Sequence, residues 1–254
     1  MPLRGITLIE VLIVIGIITV LASLLLVGTQ AARSSMLATN CGENMRQLGI
    51  AIASYNTSHG LYPPGVVSSP GSNSRFGWGA MLLPYMELSS LHAQIDFEDS
   101  LLSQGNAIAV QAKISAFGCP ADPAELSTIR ILSPARSLGR SNFVGCRGYS
   151  DDDGVFFPNS GVRSEDVLDG LGCTMFVSER SGKTAWAGEF DGETIRVLYS
   201  GSEPISYGNS ENGVSSFHSS GCHVLMGDGT VVNKSRDVDG SVWAAMASRE
   251  GNSQ

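Results

Sequence analysis

The sequence is poor in charge. Only 16% of its 254 residues are Asp, Glu, Lys or Arg, and the balance is acidic, with 16 Lys plus Arg against 24 Asp plus Glu. No Lys/Arg cluster stands out, which excludes the electrostatic footprint of a nucleic-acid partner. Histidine is scarce too, at four residues (59, 92, 218 and 223), scattered too widely along the chain to suggest a metal cluster. The five cysteines (41, 119, 146, 173 and 222) have no CxxC spacing, so the chain carries no zinc motif. There is no Gly-x-Ser-x-Gly elbow, no His-Glu-x-x-His and no phosphate-binding Gly-x-x-x-x-Gly-Lys-Ser/Thr loop, so no enzyme class is indicated.

What the sequence does hold is one long apolar run. From Ile6 to Val27 the single charge is Glu10. Such a run reaches about 30 Å as a helix, the thickness of a bilayer core. It is longer than the apolar core of a secretory signal, and no Ala-x-Ala cleavage site follows it. A carboxylate near the start of a membrane helix is costly and implies a partner and a role. Arg4 in the short leader places the amino terminus on the cytoplasmic side by the positive-inside tendency. The remainder then lies in an extracytoplasmic, oxidising compartment.

Beyond Val27 the helical pattern continues. Leu37, Cys41, Met45, Leu48, Ile52 and Tyr55 recur at intervals of three or four and form one apolar stripe. The expectation is a single helix over 6–58, membrane-spanning at 6–27, ended by Asn56 to Gly60 and then Pro63-Pro64-Gly65. The globular part is expected over 60–254. Trp78 to Ile95 reads as helical in two pieces around Pro84, and Asn106 as the cap of a short helix from Ala107 to Ser115. Strand patterns follow at Asn142–Cys146, Gly154–Phe157, Cys173–Ser178, Thr194–Tyr199, Val214–Phe217, Cys222–Met226 and Thr230–Asn233, with Gly227-Asp228-Gly229 as a hairpin turn. Ser241 to Arg249 reads as a closing helix. This is an α+β chain with an antiparallel sheet against the long helix.

Arg4-Gly5-Ile6-Thr7-Leu8-Ile9-Glu10 followed by the apolar helix resembles the leader and first helix of type IV prepilins and type II secretion pseudopilins. The resemblance implies cleavage after Gly5 by a prepilin peptidase, methylation of the new amino terminus at Ile6, and a role for Glu10 as the subunit-assembly carboxylate. Where that family prefers Phe after the glycine, this chain has Ile6. A second resemblance runs over nearly the whole chain. Cys41-Gly42-Glu43-Asn44-Met45-Arg46, Tyr62-Pro63-Pro64-Gly65, Leu83-Pro84-Tyr85, Phe117-Gly118-Cys119-Pro120, Asp169-Gly170-Leu171-Gly172 with Glu179, and His218 separated by nine residues from Asp228-Gly229 occur in order. Together they are similar to bacterial prepilin-type proteins with a C-terminal H-X9-DG segment, a family of unknown function. The implied protein is a pilin-like structural subunit without enzymatic activity. It sits in the inner membrane with its domain outside, and its partners are the peptidase, the bilayer and sister subunits. Alternatives are a single-pass anchored binding protein that never polymerises and an anchored hydrolase.

In an oxidising compartment disulfides are the natural use of the cysteines, with Cys41–Cys119 and Cys173–Cys222 as the candidate pairs. No cofactor is expected. Structural calcium on the Asp151-Asp152-Asp153-Gly154 or Asp237-Val238-Asp239-Gly240 turns is the alternative, although neither has the full ligand series of an EF-hand. His218, Asp228 and Gly229 are expected to form a structural hairpin in which the imidazole sits beside the carboxylate. Removing either side chain would then cost about 1–2 kcal/mol.

Overall fold

A computed structural model of the chain describes residues 7–68, 74–124, 127–132, 135–149, 152–190, 198–200, 206–207 and 213–251. Helix α1 runs unbroken over Leu8–His59, 52 residues, or about 78 Å at 1.5 Å per residue. Thr7 and Glu10 close a capping box at its start. The Thr7 hydroxyl accepts from the Glu10 N–H, and the Glu10 carboxylate accepts from the Thr7 N–H and hydroxyl, each at 2.8 Å. At its end Gly60 turns left-handed and its N–H bonds back to Asn56 O. The two halves of α1 differ as their sequences require. The large apolar side chains from Leu8 to Leu26 are exposed, whereas Cys41, Met45, Leu48, Ala51 and Ile52 are buried at 0–3% exposure.

The elements after α1 are short. Strands β1 (Val66–Ser68) and β2 (Ser74–Gly77) lead into α2 (Trp78–Leu82), a 3-10 turn containing Pro84 (Leu83–Met86) and α3 (Ser89–His92). Then come β3 (Thr128–Ile131), β4 (Arg136–Gly139), β5 (Phe143–Gly148), β6 (Met175–Glu179), β7 (Gly188–Phe190), β8 (Leu198–Ser200), β9 (Ser206–Tyr207), β10 (Ser215–Ser216), β11 (Cys222–Met226), β12 (Val231–Lys234) and α4 (Gly240–Ala247). The main sheet has the order β12-β11-β6-β5-β8, antiparallel throughout except that β8 runs parallel to β5. A second sheet, β1-β2-β7, and the β3-β4 hairpin flank it. The fold is α+β, with the sheet pattern that alternating apolar positions demand.

Alternation along the strands makes a sandwich of the main sheet. Phe143, Val177 and Leu225 face the core shared with α1, while Val144, Cys146, Val224 and Met226 face a second core closed by Trp243, Met246 and Ala247 of α4. Helix α1 lies close on the first face. A Cβ on Gly49 would stand 2.9 Å from Leu225 Cδ1, and one on Gly42 would stand 3.7 Å from His223 Cδ2. The small residues of the helix thus let β11 approach it.

Two expected elements are absent among the described residues. The helix over 107–115 is a series of turns followed by a 3-10 turn at Ser115–Phe117. Asn106 does not cap a helix; its fully buried amide accepts from Asp96 N–H and donates to the carbonyls of Asp96 and Ser100. It ties up a loop, as Asn side chains do where they mimic backbone. Gly154–Phe157 is likewise not a strand, although Phe156 N–H bonds to Cys146 O. The expected strand beginning at Thr194 is described only from Leu198, and Gly5 and Ile6 lie outside the described residues.

Candidate functional site

Five titratable side chains from four distant parts of the chain meet beneath α1. Cys41 comes from the buried stripe of α1, Glu179 from the last position of β6, His223 from β11, His218 from the segment before β11, and Cys119 from the loop after the 3-10 turn. Register explains the first contact. Val224 pairs with Ser178 across antiparallel strands, so one residue further along His223 faces Glu179 on the side toward α1. The helix supplies Cys41 to that face from its buried stripe, with Gly42 beside it in ordinary packing range of the imidazole.

Glu179 is the hub. Its Oε1 accepts from the Cys41 thiol and from His223 Nδ1, both at 2.7 Å, and lies 3.4 Å from His218 Nε2. Cys119 Sγ is 3.3 Å from the same His218 nitrogen, and the sulfurs of Cys119 and Cys41 are hydrogen-bonded to each other. The two imidazoles stand edge to face, with centroids 4.9 Å apart. A supporting layer holds the loops in place. Cys119 N–H donates to Asn142 Oδ1, Asn142 Nδ2 and Arg140 Nη2 both donate to Asp122 Oδ2, and Arg236 Nη2 donates to His218 O.

The site is dry: Cys41 is 0%, Glu179 2%, His218 4% and Cys119 5% exposed. Burial alone would push a carboxyl up, yet the hydrogen bonds of His218 and His223 outweigh it and hold Glu179 down at about 2. Burial disfavours the His218 imidazolium, but its hydrogen bonds to Cys119 and Glu179 raise it to about 10. The contact with Cys41 draws Cys119 down to about 7, whereas burial raises Cys41 well above the ordinary thiol value. The centre therefore holds a buried imidazolium–carboxylate pair with an acidic thiol beside it. The second carboxylate oxygen, Glu179 Oε2, is buried with no hydrogen-bond partner among the described residues.

Chemically, this is a donor set of two sulfurs, two imidazole nitrogens and a carboxylate. A cavity of about 670 Å³ lies elsewhere, between α1 at Gln47 and Ile50 and the segments around Tyr85–Leu91 and Ala112–Ala116. A second, of about 270 Å³, is bordered by Gly49, Ile52, Phe176 and the Gly227–Gly229 turn. Neither is lined by any of the five.

The residues singled out in the sequence are distributed as follows. Cys41 and Cys119 do come together, but as free thiols rather than a disulfide. Cys173 is exposed in the turn before β6, and Cys222 is buried on the α4 side of β11; both are free thiols. His218 does not sit beside Asp228. They are at opposite ends of β11, and Asp228, exposed at the hairpin, accepts from the Thr230 N–H and hydroxyl through Oδ1. Gly229 takes φ +85° in that turn. Asp152 pairs with Arg147 at 2.6 Å and Asp239 caps α4 through Ser241, so these turn carboxylates serve local structure; Asp151 lies outside the described residues. Two signals for the grouping of Glu179 with both histidines stand in the sequence: His218 and His223 are separated by four residues, a spacing zinc ligands use, and Glu179 is a charge closing the apolar stretch Met175-Phe176-Val177. What the spacing does not give is the partner of the histidine pair, since Glu179, Cys41 and Cys119 are far from it along the chain.

Residues 30–199 match the model of a family described as a protein of unknown function (DUF1559). The matched stretch takes in Cys41, Cys119 and Glu179 and stops before His218 and His223. No curated protein matches the chain, and no solved structure matches it.

Proposed function

The chain belongs to the DUF1559 family of proteins of unknown function, and from that starting point we propose that it is a membrane-anchored, pilin-like structural subunit. In this reading a prepilin peptidase cuts after Gly5, and Ile6 becomes the methylated amino terminus. Residues 6–27 hold the protein in the inner membrane, with the domain on the extracytoplasmic side. The subunit is carried in, or associates with, a type IV pilus or type II secretion pseudopilus through α1.

The observation that carries the reading is the division of labour along one unbroken helix. Its first half is apolar on every side and exposed, and it is long enough to cross a membrane. Its second half is built into the domain core. A helix used only as a tether would not need to be continuous with the core; a helix that packs beside sister helices while displaying a domain does. A non-enzymatic role fits the burial of Cys119, His218 and Glu179.

Glu10 supplies the test. Its carboxylate closes the capping box with Thr7, so a loss of assembly in Glu10→Val would have two explanations. Glu10→Gln separates them, because Gln at this position preserves a capping box while removing the charge. The proposal expects both variants to insert normally and both to fail to enter filaments, since the amino terminus of a neighbouring subunit loses its counter-charge. Filament incorporation of Glu10→Gln at the unsubstituted level, in sheared-fibre fractions probed with an antibody to the domain, would remove the pairing role.

A further inference from the structure

We infer that Cys41, Glu179, His218 and His223 form a structural zinc-class metal site that fastens the anchored helix to the sheet. One potential ligand atom from each of these side chains lies within 4.8 Å of all the others. A four-coordinate zinc with ligands at about 2.0–2.3 Å keeps its donor atoms about 3.3–3.8 Å apart, so closing around the ion asks for shifts on the order of 1 Å. The donors are sulfur, imidazole nitrogen and one carboxylate, the set that suits zinc; calcium and magnesium take oxygen ligands. Cys119 lies just outside, hydrogen-bonded to the Cys41 sulfur and 3.3 Å from His218 Nε2. It serves as a positioning residue.

Two observations support a cation here. The unpartnered Glu179 Oε2 belongs to a side chain only 2% exposed, and a buried carboxylate oxygen without a donor is costly. The Cys41 sulfur and one nitrogen of each imidazole converge on the other oxygen of the same carboxylate, Oε1, from three separate parts of the fold. Arg236, through the His218 carbonyl, and Asn142, through the Cys119 N–H, fix the backbone of the loops around them. On binding, the Cys41 thiol proton and the imidazolium proton of His218 leave to solvent, His223 shifts its proton from Nδ1 to Nε2, and the freed sulfur and nitrogen lone pairs coordinate the ion. The thiolate and carboxylate charges then match the dication. The site joins α1 to β6, β11 and the segment before β11, so the ion would lock the helix to the domain.

The test uses the full chain in detergent, reduced and stripped with a chelator. It is then titrated with zinc against a chromophoric competitor, and separately with cobalt as a spectroscopic substitute. The expected result is one zinc per chain, with a thiolate-to-cobalt charge-transfer band and the visible bands of a tetrahedral ion. Cys41→Ser and His223→Gln should each weaken zinc by more than about 100-fold, beyond the loss an outer partner causes, and Cys119→Ser by about 10–100-fold. Cys173→Ser, an exposed thiol outside the cluster, should bind as the unsubstituted chain does. Folded full-length protein that takes up no zinc, or gives a cobalt spectrum without the thiolate band, would overturn the inference whatever the variants do. So would Cys41→Ser and His223→Gln binding zinc normally, or a Cys41–Cys119 disulfide in peptide maps of the native membrane protein.

Discussion

A fragment beginning at residue 60, after α1 has ended, should not fold. The reason lies in what the second half of the helix buries. Met45 and Leu48 are fully buried and Ile52 is 3% exposed, each packed into the core shared with the main sheet. At about 1.5–3 kcal/mol for each large apolar side chain, these three contribute roughly 5–9 kcal/mol. That is comparable to the whole stability of an ordinary domain, about 5–15 kcal/mol. Losing the helix also strips cover from Leu225 and removes the Asn44 amide from the carbonyls of Ser115 and Gly118. Removing residues 1–28 instead takes away, among the described side chains, only exposed ones and should leave the core intact. The assay is urea unfolding of the two fragments, 29–254 and 60–254, followed by circular dichroism and one-dimensional proton spectra. The first should unfold cooperatively with dispersed methyl resonances. The second should show neither. A cooperative transition in 60–254 with the midpoint of the longer fragment would refute the reasoning and reduce α1 to an appendage. Within the longer fragment, Met45→Ala should cost about 2–5 kcal/mol, as a large-to-small change in a closed core does.

Further expectations concern the buried cluster and the hairpin. In chelator-treated protein, Glu179→Gln removes one member of a buried pair and should cost about 3–5 kcal/mol in urea unfolding near neutral pH. The pH dependence has two limbs. His218 is raised from 6.5 to about 10, so its contribution is complete below pH 6.5 and lost as pH rises through 10. Glu179 is lowered from 4.5 to about 2, so its contribution is complete above pH 4.5 and lost as pH falls through 2. Both limbs belong to one interaction, and both should flatten in Glu179→Gln; limbs that persist in the variant would locate the titration elsewhere. His218→Ala should cost about 1–3 kcal/mol for the partners it leaves, whereas Asp228→Ala, at an exposed turn, should stay within about 0.5 kcal/mol. Equal losses for the two in thermal melts would restore the pairing that the sequence suggests.

The elements legible in the sequence are those whose own residues decide them. The apolar run and the stripe through Cys41, Met45, Leu48 and Ile52 give α1 nearly to its ends, because an unbroken apolar run marks the exposed half and a period of three to four marks the buried half. The Gly227-Asp228-Gly229 turn gives β11 and β12, and the stretch from Ser241 to Arg249 gives α4 to within two residues. Elements set by partners were not legible. Strands β1, β2 and β7 are three or four residues long and owe their conformation to pairing with one another. Asn106 reads as a helix cap but is consumed by a loop it organises. The cluster around Glu179 was hidden because antiparallel pairing and one helix contact, rather than spacing along the chain, bring its members together. The free Cys41 and Cys119 were named for their positions, on the helix face and in the facing loop, and only the fold shows that two histidines and a glutamate join them.

The anchored, pilin-like account is tested most directly by the intact mass of the protein extracted from native membranes. The account expects a chain that has lost Met1 to Gly5 and begins at Ile6 carrying one added methyl group. A chain that still begins at Met1, in a cell whose prepilin peptidase processes its other substrates, would contradict it.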